Sequence, residues 1–345
     1  MDIRNNVSLI SYSTMALGGL AHYLVEITSR DEVPQALAWA QQHNLPVVMV
    51  GLGSNIVWGD AGFPGLVMVN KIRHYEAYEE DETNTYITIG AGEPWDSVVE
   101  RSVSAGLTGI EALSLIPGTA GATPIQNVGA YGQEISQTLT TIEAFDSQVA
   151  RFVTVPVSEC GFGYRTSRFK TNDHGRFFIT SITLHLTKGN PMPPFYSAVE
   201  EYLEQHSITN YTPASIREAV IAIRSAKLPD PAFVHNVGSF FANPTISDLD
   251  FAQLEQNYGE TAIPHWSVDE QTIKLSAAWL IEQAGFKDFH DKATGMATWP
   301  QQPLVLVNEH AEKTASLLEF KQKIVEAVKA KFNVTLEQEP ELISS

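Results

Sequence analysis

Apolar residues recur at helical spacing in several stretches of the chain. The clearest case is residues 314–332, where Leu317, Phe320, Ile324 and Val328 form one stripe and predict an amphipathic helix. The same spacing, with capping polar residues or proline at the start and glycine at the end, predicts further helices. They cover residues 29–44, 94–105 and 275–284.

Short apolar runs rich in β-branched residues predict strands between these helices. The run Pro46–Val50 ends at Gly51, and similar runs occupy Leu66–Val69 and Tyr86–Ile89. Such runs, bounded by glycine or other turn residues, are typical of buried strands. The alternation of strands and helices in the opening part of the chain indicates an α+β or α/β fold.

Charge limits the kinds of partner that the protein can bind. The 345-residue chain has 40 acidic and 22 basic side chains, a formal net charge of -18 at pH 7. This balance argues against nucleic acid and anionic membranes as partners, because binding them needs a basic surface. A pocket for an anionic small molecule is compatible with it, since such a pocket needs only a few local Arg or Lys side chains.

Cysteine and histidine give no sign of a metal site. Cys160 is the single cysteine, so an intrachain disulfide and a cysteine cluster are excluded, and we predict that it packs as a small apolar residue. The histidines show no metal-binding spacing.

The N-terminus lacks the apolar run of a signal peptide and no apolar stretch is long enough to span a bilayer, so we expect a cytoplasmic protein without membrane insertion.

Two glycine-rich segments are candidates for binding a nucleotide cofactor. Gly51–Asn55 follows a predicted strand, where backbone N–H groups can face a phosphate, although such a turn is more often only structural. Residues 116–132 mix glycines with Thr, Gln, Asn and apolar residues. That mixture suits a flat heteroaromatic ring with polar edges, and an irregular structural loop is the alternative.

Three further segments carry groups that suit an anionic ligand. Arg165 follows a glycine and a tyrosine and could clamp a carboxylate with its planar fork, or form a surface ion pair. Ser239 follows Gly238 and precedes two aromatic residues that would anchor it, although a strand end and turn explains the same letters. Arg224 and Lys227 either end a solvated helix or supply positive charge to the ligand.

These segments occur in an order that resembles the UDP-N-acetylenolpyruvoylglucosamine reductase family over nearly the whole chain. The motifs that match are Gly51–Asn55, Ile116–Gly132, Phe162–Arg165, Lys227–Pro231, Gly238–Pro244 and Leu336–Glu339. The stretch around Tyr196 is similar to the longer form of the family, in which a tyrosine loop closes over the substrate. The opening Ser13-Thr14-Met15-Ala16 departs from the family's usual Asn-Thr-Phe-Gly.

The resemblance implies an α+β fold in three domains. Two α+β subdomains of the vanillyl-alcohol-oxidase type would bind FAD, and a separate α+β domain would bind the substrate. FAD should be non-covalent, because the first glycine loop has no histidine. The implied bounds are 1–70, joined by a C-terminal strand at 331–345, then 71–210, and 211–330 for the substrate domain.

The resemblance also implies a reaction in two halves at one shared site. NADPH would pass hydride to the flavin N5, and the hydride would then reach the methylene carbon of UDP-N-acetylenolpyruvoylglucosamine to give UDP-N-acetylmuramate. Arg165 would hold the substrate carboxylate, Ser239 would protonate the neighbouring carbon, and Glu339 would assist. Glu337, Glu339 and Glu341 alternate along a predicted strand, so Glu341 is the alternative to Glu339, which the Leu-Glu-x-Glu spacing favours.

The binding residues are carried over position by position. Tyr196, Asn243, Lys227 and Lys287 would hold the uridine diphosphate part of the substrate, and a monomer is expected. The expected cofactor residues are Gly51, Gly53, Ser54, Asn55, Ile116, Pro117, Gly118, Thr119, Gly121, Ala122, Thr123, Gln126, Asn127, Gly129 and Tyr131.

Two other functions are compatible with parts of the pattern. A flavin oxidase on the same fold would use the glycine loops, but it would give the Arg165 clamp and the Ser239 proton donor no clear task. A non-catalytic nucleotide-binding module would need only the glycine loops. A purified protein without bound flavin that cannot be reconstituted with FAD would favour that module.

Overall fold

The computed structural model describes residues 1–258 and 263–344, and contacts divide the chain into two compact units. The chain passes between the units several times, so neither unit is one continuous segment. The first unit comprises Met1–Val7, Leu20–Leu52 and Phe63–Ala226; the second comprises Ser8–Gly19, Gly53–Gly62 and Lys227–Ser345.

The first unit contains a four-stranded sheet covered by one helix. Helix Glu32–Gln42 buries Val33, Ala36 and Ala40 against apolar side chains of the sheet. The central pairings are parallel, which explains the nearly continuous apolar strand Phe63–Asn70, since a strand buried on both faces does not alternate with polar residues. In order across the sheet, the strands are Arg4–Ser8, Leu20–Ile27, Phe63–Asn70 and Val47–Val50.

A larger antiparallel sheet forms the second core of the first unit. Its long central strand, Phe177–Lys188, pairs on both sides, and helix Trp95–Ser104 packs Trp95, Val98 and Val99 into the adjoining core. In order, the strands are Arg151–Pro156, Leu139–Asp146, Phe177–Lys188, Asn84–Gly90 and Tyr75–Glu79, with Leu107–Thr108 paired to one end of the central strand.

Two helices and a short ribbon complete the first unit. Helices Ser197–Gln205 and Pro213–Lys227 share a small core that includes Val199, Leu203 and Ile216, with Tyr131 packed against it. The remaining elements are the ribbon Gly129–Ala130 with Gln133–Glu134, and the 3-10 helices Glu111–Leu113, Ala120–Ala122, Ile135–Gln137 and Val157–Glu159.

The second unit is built around one long helix. Thr314–Phe332 has the predicted bounds, and the predicted stripe of Leu317, Phe320, Ile324 and Val328 is buried in its core. One sheet of this unit contains, in order, Asn236–Ser239, Gln302–Asn308, Met296–Trp299 and His290–Asp291, and a second contains Thr245–Ser247, Thr272–Leu275 and His265–Ser267. Two further strands, Ile56–Trp58 and Glu341–Ile343, pair with each other. The remaining helices are Asp248–Tyr258, Ala277–Gln283 and the 3-10 helix Ile10–Tyr12.

One predicted helix starts in the wrong place. Residues 275–284 were expected to be helical, but Leu275 ends the strand Thr272–Leu275 and the helix begins at Ala277. Ser276 causes the change, because its Oγ accepts a hydrogen bond from the amide of Trp279 at 3.3 Å and so caps the helix.

The C-terminal strand is shorter than the predicted range 331–345. The long helix continues to Phe332, and only Glu341–Ile343 forms a strand, paired in parallel with Ile56–Trp58. Pro340 has no N–H to donate to a sheet, which accounts for the break between Glu339 and Glu341. Among the described residues, no helix has the length and apolar character needed to cross a membrane.

Candidate active site

Arg165 is held in a left-handed turn against the second glycine segment. Backbone hydrogen bonds between Gly163 and Thr166 close the turn, and Arg165 itself has a φ of 53°. Its Nη2 donates to the carbonyl oxygen of Gly129 at 2.8 Å. A left-handed conformation costs a residue with a side chain roughly 1–2 kcal/mol, and residues held this way cluster at functional sites. The structure therefore brings Arg165 to the predicted cofactor loop.

Residues 116–132 form an ordered loop fixed by backbone hydrogen bonds. The amide of Trp95 donates to the carbonyl of Gly118 at 3.0 Å, and the amide of Gly121 donates to the carbonyl of Ala91 at 2.9 Å. Glycine is required at 121, because a Cβ there would overlap the Cβ of Ala91. The loop is thus fastened to the start of the helix that Trp95 begins.

Two polar side chains of this loop form their hydrogen bonds inside the protein. Asn127 is 2% exposed; its Nδ2 donates to Glu134 Oε2 at 2.8 Å and to the Gly163 carbonyl at 3.2 Å, and its Oδ1 accepts from the Ser136 amide at 3.2 Å. The hydroxyl of Thr123 is also buried and donates to a backbone carbonyl of its own turn. These two side chains therefore stabilise the shape of the loop.

Gly51 brings the two glycine segments together within the first unit. It follows the strand Val47–Val50 and lies against the hydroxyl of Thr119, which a side chain at position 51 would displace. Since Thr119 belongs to the second glycine segment, the two predicted cofactor segments meet at this contact.

The rest of the first glycine segment belongs to the second unit. The carbonyl of Gly53 accepts from the amide of Thr14 at 3.1 Å, and the carbonyl of Asn55 accepts from the amide of Glu341 at 3.1 Å. Ser54 lies between these two anchored residues. The opening segment and the C-terminal strand therefore fix the path of Gly53–Asn55.

Several of the predicted cofactor residues keep surface that suits a flavin. The polar side chains Thr119, Thr123 and Asn127 are buried, and the amides from Ala120 to Thr123 donate to backbone carbonyls of the protein. The loop therefore offers a ligand its partly exposed glycines and apolar residues, which suit the apolar face of a flavin ring. The partly exposed members of the set, which keep surface for a ligand, are Gly51, Ser54, Asn55, Ile116, Gly118, Gly121, Ala122, Gln126, Gly129 and Tyr131, and Pro117 is exposed.

Tyr131 meets a predicted substrate residue. It follows Ala130 in the short ribbon and has a φ of 48°. Its ring lies edge to face with that of Tyr196, with centroids 5.6 Å apart. Burial raises the pKa of the Tyr131 phenol, and the nearby Arg224 guanidinium opposes that rise. The structure thus places the ring of Tyr131 against that of Tyr196.

Ser239 lies next to a β-bulge. Asn236 pairs with Val307 and Ser239 pairs with Val305, so the strand that carries the serine has one extra residue. Gly238 takes up the irregularity with a φ of 75°, a conformation that glycine adopts readily. Bulges of this kind redirect side chains beside functional sites.

The aromatic anchor of Ser239 is confirmed. Phe240 and Phe241 are 0% and 1% exposed, and their ring centroids are 5.5 Å apart. Both belong to the core of the second unit, so the backbone after the serine is fixed by apolar packing.

Asn236, which the sequence pattern did not single out, holds the backbone that precedes Ser239. Its Oδ1 accepts from the Gly238 amide at 2.9 Å, and its Nδ2 donates to the Val234 carbonyl at 2.7 Å. Thr14 Oγ1 donates to the Asn236 carbonyl at 2.6 Å. The available signal was an asparagine two residues before a Gly-Ser pair at a strand end.

The structure separates Glu339 from Glu341. The segment around Glu339 pairs with the segment after Ser239, through a bridge between Phe241 and Gln338. Glu341 instead opens the strand paired with Ile56. Of the two carboxylates, Glu339 is therefore the one whose backbone segment borders that of Ser239.

Each of the three predicted substrate residues in the second unit has a different environment. Asn243 Oδ1 accepts from the amide of Ala277 at 3.0 Å, and Lys287 Nζ pairs with Glu282 Oε1 at 2.7 Å. Lys287 is more than half exposed, so leaving this pair for a phosphate would cost only about 0–1 kcal/mol. Lys227 is exposed at the end of its helix.

The single cysteine is a packing residue, as predicted. Cys160 is fully buried, and burial raises the pKa of its thiol to about 11, so the thiol stays protonated near neutral pH. Across residues 1–258 and 263–344, no group of three or more His, Cys, Asp or Glu side chains is placed to hold a metal ion.

Comparisons with known proteins identify the family. Residues 21–148 match the FAD binding domain family, and residues 230–343 match the UDP-N-acetylenolpyruvoylglucosamine reductase C-terminal domain. A UDP-N-acetylenolpyruvoylglucosamine reductase of Pseudomonas fluorescens (strain Pf0-1) is 36% identical over 340 residues, 99% of this chain and 98% of that one. The enzyme of the same name from Xylella fastidiosa (strain M12) is 38% identical over 341 residues, 99% of this chain and 95% of that one.

A solved structure supports the fold. The crystal structure of UDP-N-acetylenolpyruvylglucosamine reductase from Thermus caldophilus has a TM-score of 0.68 and 22% identity, and the match covers 99% of each chain. With the two domain matches, this confirms the predicted fold class, an α+β FAD-binding region plus a separate C-terminal domain. The chain belongs to the UDP-N-acetylenolpyruvoylglucosamine reductase family of FAD-dependent oxidoreductases.

Proposed function

We propose that this protein uses NADPH to reduce the enolpyruvyl group of UDP-N-acetylenolpyruvoylglucosamine to UDP-N-acetylmuramate, a precursor of peptidoglycan. Full-length identity of 36% and 38% to enzymes named for this substrate supports the proposal. When bound, FAD supplies the hydride chemistry between NADPH and the methylene carbon of the substrate. The residues of the chain itself then have three tasks: to hold the cofactor, to hold the anionic substrate and to deliver a proton.

Arg165 holds the substrate carboxylate. One guanidinium nitrogen is already committed to the Gly129 carbonyl at 2.8 Å, which fixes the plane of the group beside the cofactor loop. A guanidinium binds a carboxylate through parallel N–H donors, and it stabilises the negative charge that builds there as hydride arrives. Fixed electrostatic stabilisation of this kind is often the largest catalytic contribution.

Ser239 Oγ delivers the proton to the carbon next to the one that receives hydride. A serine hydroxyl is a weak acid, so its position has to be fixed and its proton replaced during each cycle. The bulge at Gly238 and the buried Phe240 and Phe241 supply a rigid support. Rigid presentation matters because small misplacements of a reacting group reduce rates strongly.

Glu339 assists as a hydrogen-bonding acid. The observation that carries the proposal is that the Glu339 segment pairs with the backbone directly after Ser239. Two chemically suitable groups, far apart in sequence, are thereby placed on neighbouring segments of one unit.

The substrate is held by Tyr196, Lys227, Asn243 and Lys287. The lysines meet the diphosphate, which explains how a chain with a net charge of -18 can bind a dianion. NADPH and the sugar nucleotide occupy the same place in turn, and the protein works as a cytoplasmic monomer. We also propose that the chain has three domains, with boundaries near residues 70, 210 and 330.

Anaerobic flavin spectroscopy tests the function directly. NADPH should bleach the visible absorbance of the bound flavin, and enolpyruvyl-UDP-GlcNAc should restore it without oxygen. Restoration by oxygen alone, with no response to the sugar nucleotide, would instead indicate a flavin oxidase.

Ser239→Ala tests the proton donor. We expect bleaching by NADPH at a near-normal rate, and recovery with the sugar nucleotide slowed by roughly a hundredfold or more. Ser104→Ala makes the same chemical change at the exposed end of a helix and should behave like the wild type. Equal losses in both half-reactions of Ser239→Ala would contradict the assignment.

A further inference from the structure

Thr14 joins the strand that carries Ser239 to the loop Gly53–Asn55. Its amide donates to the carbonyl of Gly53 at 3.1 Å, and its carbonyl accepts from the amide of Asn236 at 3.1 Å. Its Oγ1 donates to the Asn236 carbonyl at 2.6 Å. Thr14 therefore bonds to both backbone polar groups of Asn236 and, on its other side, to the backbone of the loop.

The contact with the loop is a close approach of two backbones. A Cβ at position 53 would lie 2.2 Å from the carbonyl oxygen of Tyr12 and 2.9 Å from the Cα of Ser13, so only glycine fits there. Ser13 is 5% exposed, and its Oγ donates to the carbonyl of Ile56 at 2.7 Å. The segment around Thr14 is thus fastened to the chain on both sides of the predicted cofactor residues Ser54 and Asn55.

The contact with the strand reaches Ser239 through Asn236. The Asn236 side chain is buried, with the residue 3% exposed, and its Oδ1 accepts from the amide of Gly238 at 2.9 Å. Gly238 is the bulge residue with a φ of 75°. A shift of the Asn236 backbone would move the acceptor that holds this bulge. The position of Ser239 therefore depends on Asn236, whose backbone is held by Thr14.

We propose that Thr14 is a positioning residue for the second half-reaction, which fixes the Ser239 strand relative to the loop Gly53–Asn55. The inference rests on the proposed function for the tasks of Ser239 and of the loop. Proton delivery needs the serine hydroxyl in one place relative to the cofactor, because small displacements of a reacting group reduce rates strongly. Flavin reduction by NADPH does not use the Ser239 hydroxyl, so it should depend on Thr14 much less.

Thr14→Val tests the hydroxyl alone, because valine is close to threonine in shape and keeps both backbone hydrogen bonds. We expect reoxidation of the flavin by the sugar nucleotide to slow about tenfold, with KM for the sugar nucleotide and bleaching by NADPH changed much less. Thr14→Ser keeps a hydroxyl and should be close to the wild type. Equal losses in both half-reactions of Thr14→Val would contradict the inference.

Thr314→Val is the matched control. Thr314 is 1% exposed, and its Oγ1 donates to the carbonyl of Trp58 at 2.6 Å. The variant therefore loses a hydroxyl-to-carbonyl bond of the same length in the same unit. It should lower the melting temperature and leave both half-reactions normal. Reoxidation slowed as much as in Thr14→Val would mean that a general loss of stability explains the effect.

A double variant tests whether Thr14 acts through Ser239. In a Ser239→Ala protein, adding Thr14→Val should slow reoxidation little further, because the hydroxyl that Thr14 positions is already gone. Losses that multiply in the double variant would show that Thr14 acts by another route, against the inference.

Amide hydrogen exchange tests the contact without turnover. The amides of residues 237–239 should exchange about tenfold faster in Thr14→Val than in the wild type, and at the wild-type rate in Thr314→Val. Unchanged exchange in a folded Thr14→Val protein would overturn the inference. A wild-type flavoprotein that the sugar nucleotide fails to reoxidise would reject the proposed function, and the exchange rates would still decide whether Thr14 holds the Ser239 strand.

Discussion

The amide of Glu339 donates a hydrogen bond of 3.0 Å to the carbonyl oxygen of Phe240, the residue that follows Ser239. The neighbouring amide of Ala242 donates to the Glu337 carbonyl at 3.0 Å, so the two segments are joined on both sides of Phe241. This pairing places the Glu339 backbone beside the Ser239 segment, whereas Glu341 pairs with another strand, and it is the reason for proposing Glu339 rather than Glu341.

Glu339→Gln should therefore slow flavin reoxidation by the sugar nucleotide by roughly a hundredfold or more, since a group that stabilises developing charge is lost. Glu341→Gln is the matched control and should stay close to the wild type. Stopped-flow absorbance measures both half-reactions separately. If Glu341→Gln shows the larger loss, the choice of Glu339 is wrong.

Gly238→Ala should weaken the presentation of Ser239. A side chain at a φ of 75° costs roughly 1–2 kcal/mol, and relief of that strain would shift the bulge. We expect a lower melting temperature and a second half-reaction slowed beyond what the stability loss explains.

Gly175→Ala is the control for Gly238→Ala. Gly175 has a φ of 73°, and a Cβ there would enter open space, as at Gly238. It should show a similar stability loss with normal half-reactions. Equal kinetic effects in the two variants would mean that the bulge has no special part in catalysis.

Asn127→Ala should lower FAD affinity. The change removes three hydrogen bonds that hold the cofactor loop, worth about 2–3 kcal/mol together, and frees the loop near Gly129. Fluorescence titration of the apoprotein with FAD measures the effect.

Asn70→Ala is the control, because it removes another buried, hydrogen-bonded asparagine. It should lower stability without a comparable loss of FAD affinity. Equal losses of FAD affinity in the two variants would contradict the role given to Asn127.

The contact between Asp96 and Arg217 should make stability depend on pH. Burial opposes ionisation of Asp96, but hydrogen bonds from Arg217 and the Leu115 amide outweigh it and place the pKa of this carboxyl below its usual value. Asp96→Asn should cost about 1–2 kcal/mol at neutral pH. A carboxyl with a lowered folded pKa stabilises the protein above its unfolded pKa, so the difference from wild type should shrink as pH falls from roughly 4.

Urea unfolding at several pH values measures this dependence. Asp2→Asn, at an exposed position, is the control and should not change the free energy of unfolding. A difference for Asp96→Asn that stays constant down to acid pH would show that the ion pair is not its source.

Some features were predictable because they depend on neighbours in sequence. The helix Thr314–Phe332 follows from a stripe that recurs about once per turn from Leu317 to Val328, and the strand at Val47–Val50 follows from a short apolar run. The start of helix Ala277–Gln283 was mistaken, because Leu275 fits the helical spacing while its backbone pairs with other strands. Spacing alone cannot distinguish these two uses of one apolar side chain.

The amino-acid sequence by itself determined the family, the glycine segments and the candidates for the reactive groups, since these reside in local residue order. Only the tertiary structure decided that Asn127 turns inward, that Gly238 forms a bulge, that Glu339 borders the Ser239 segment and that Tyr131 meets Tyr196. Each of these depends on contacts between segments distant along the chain, and the free energy of such contacts is set by packing and burial, which no local pattern encodes.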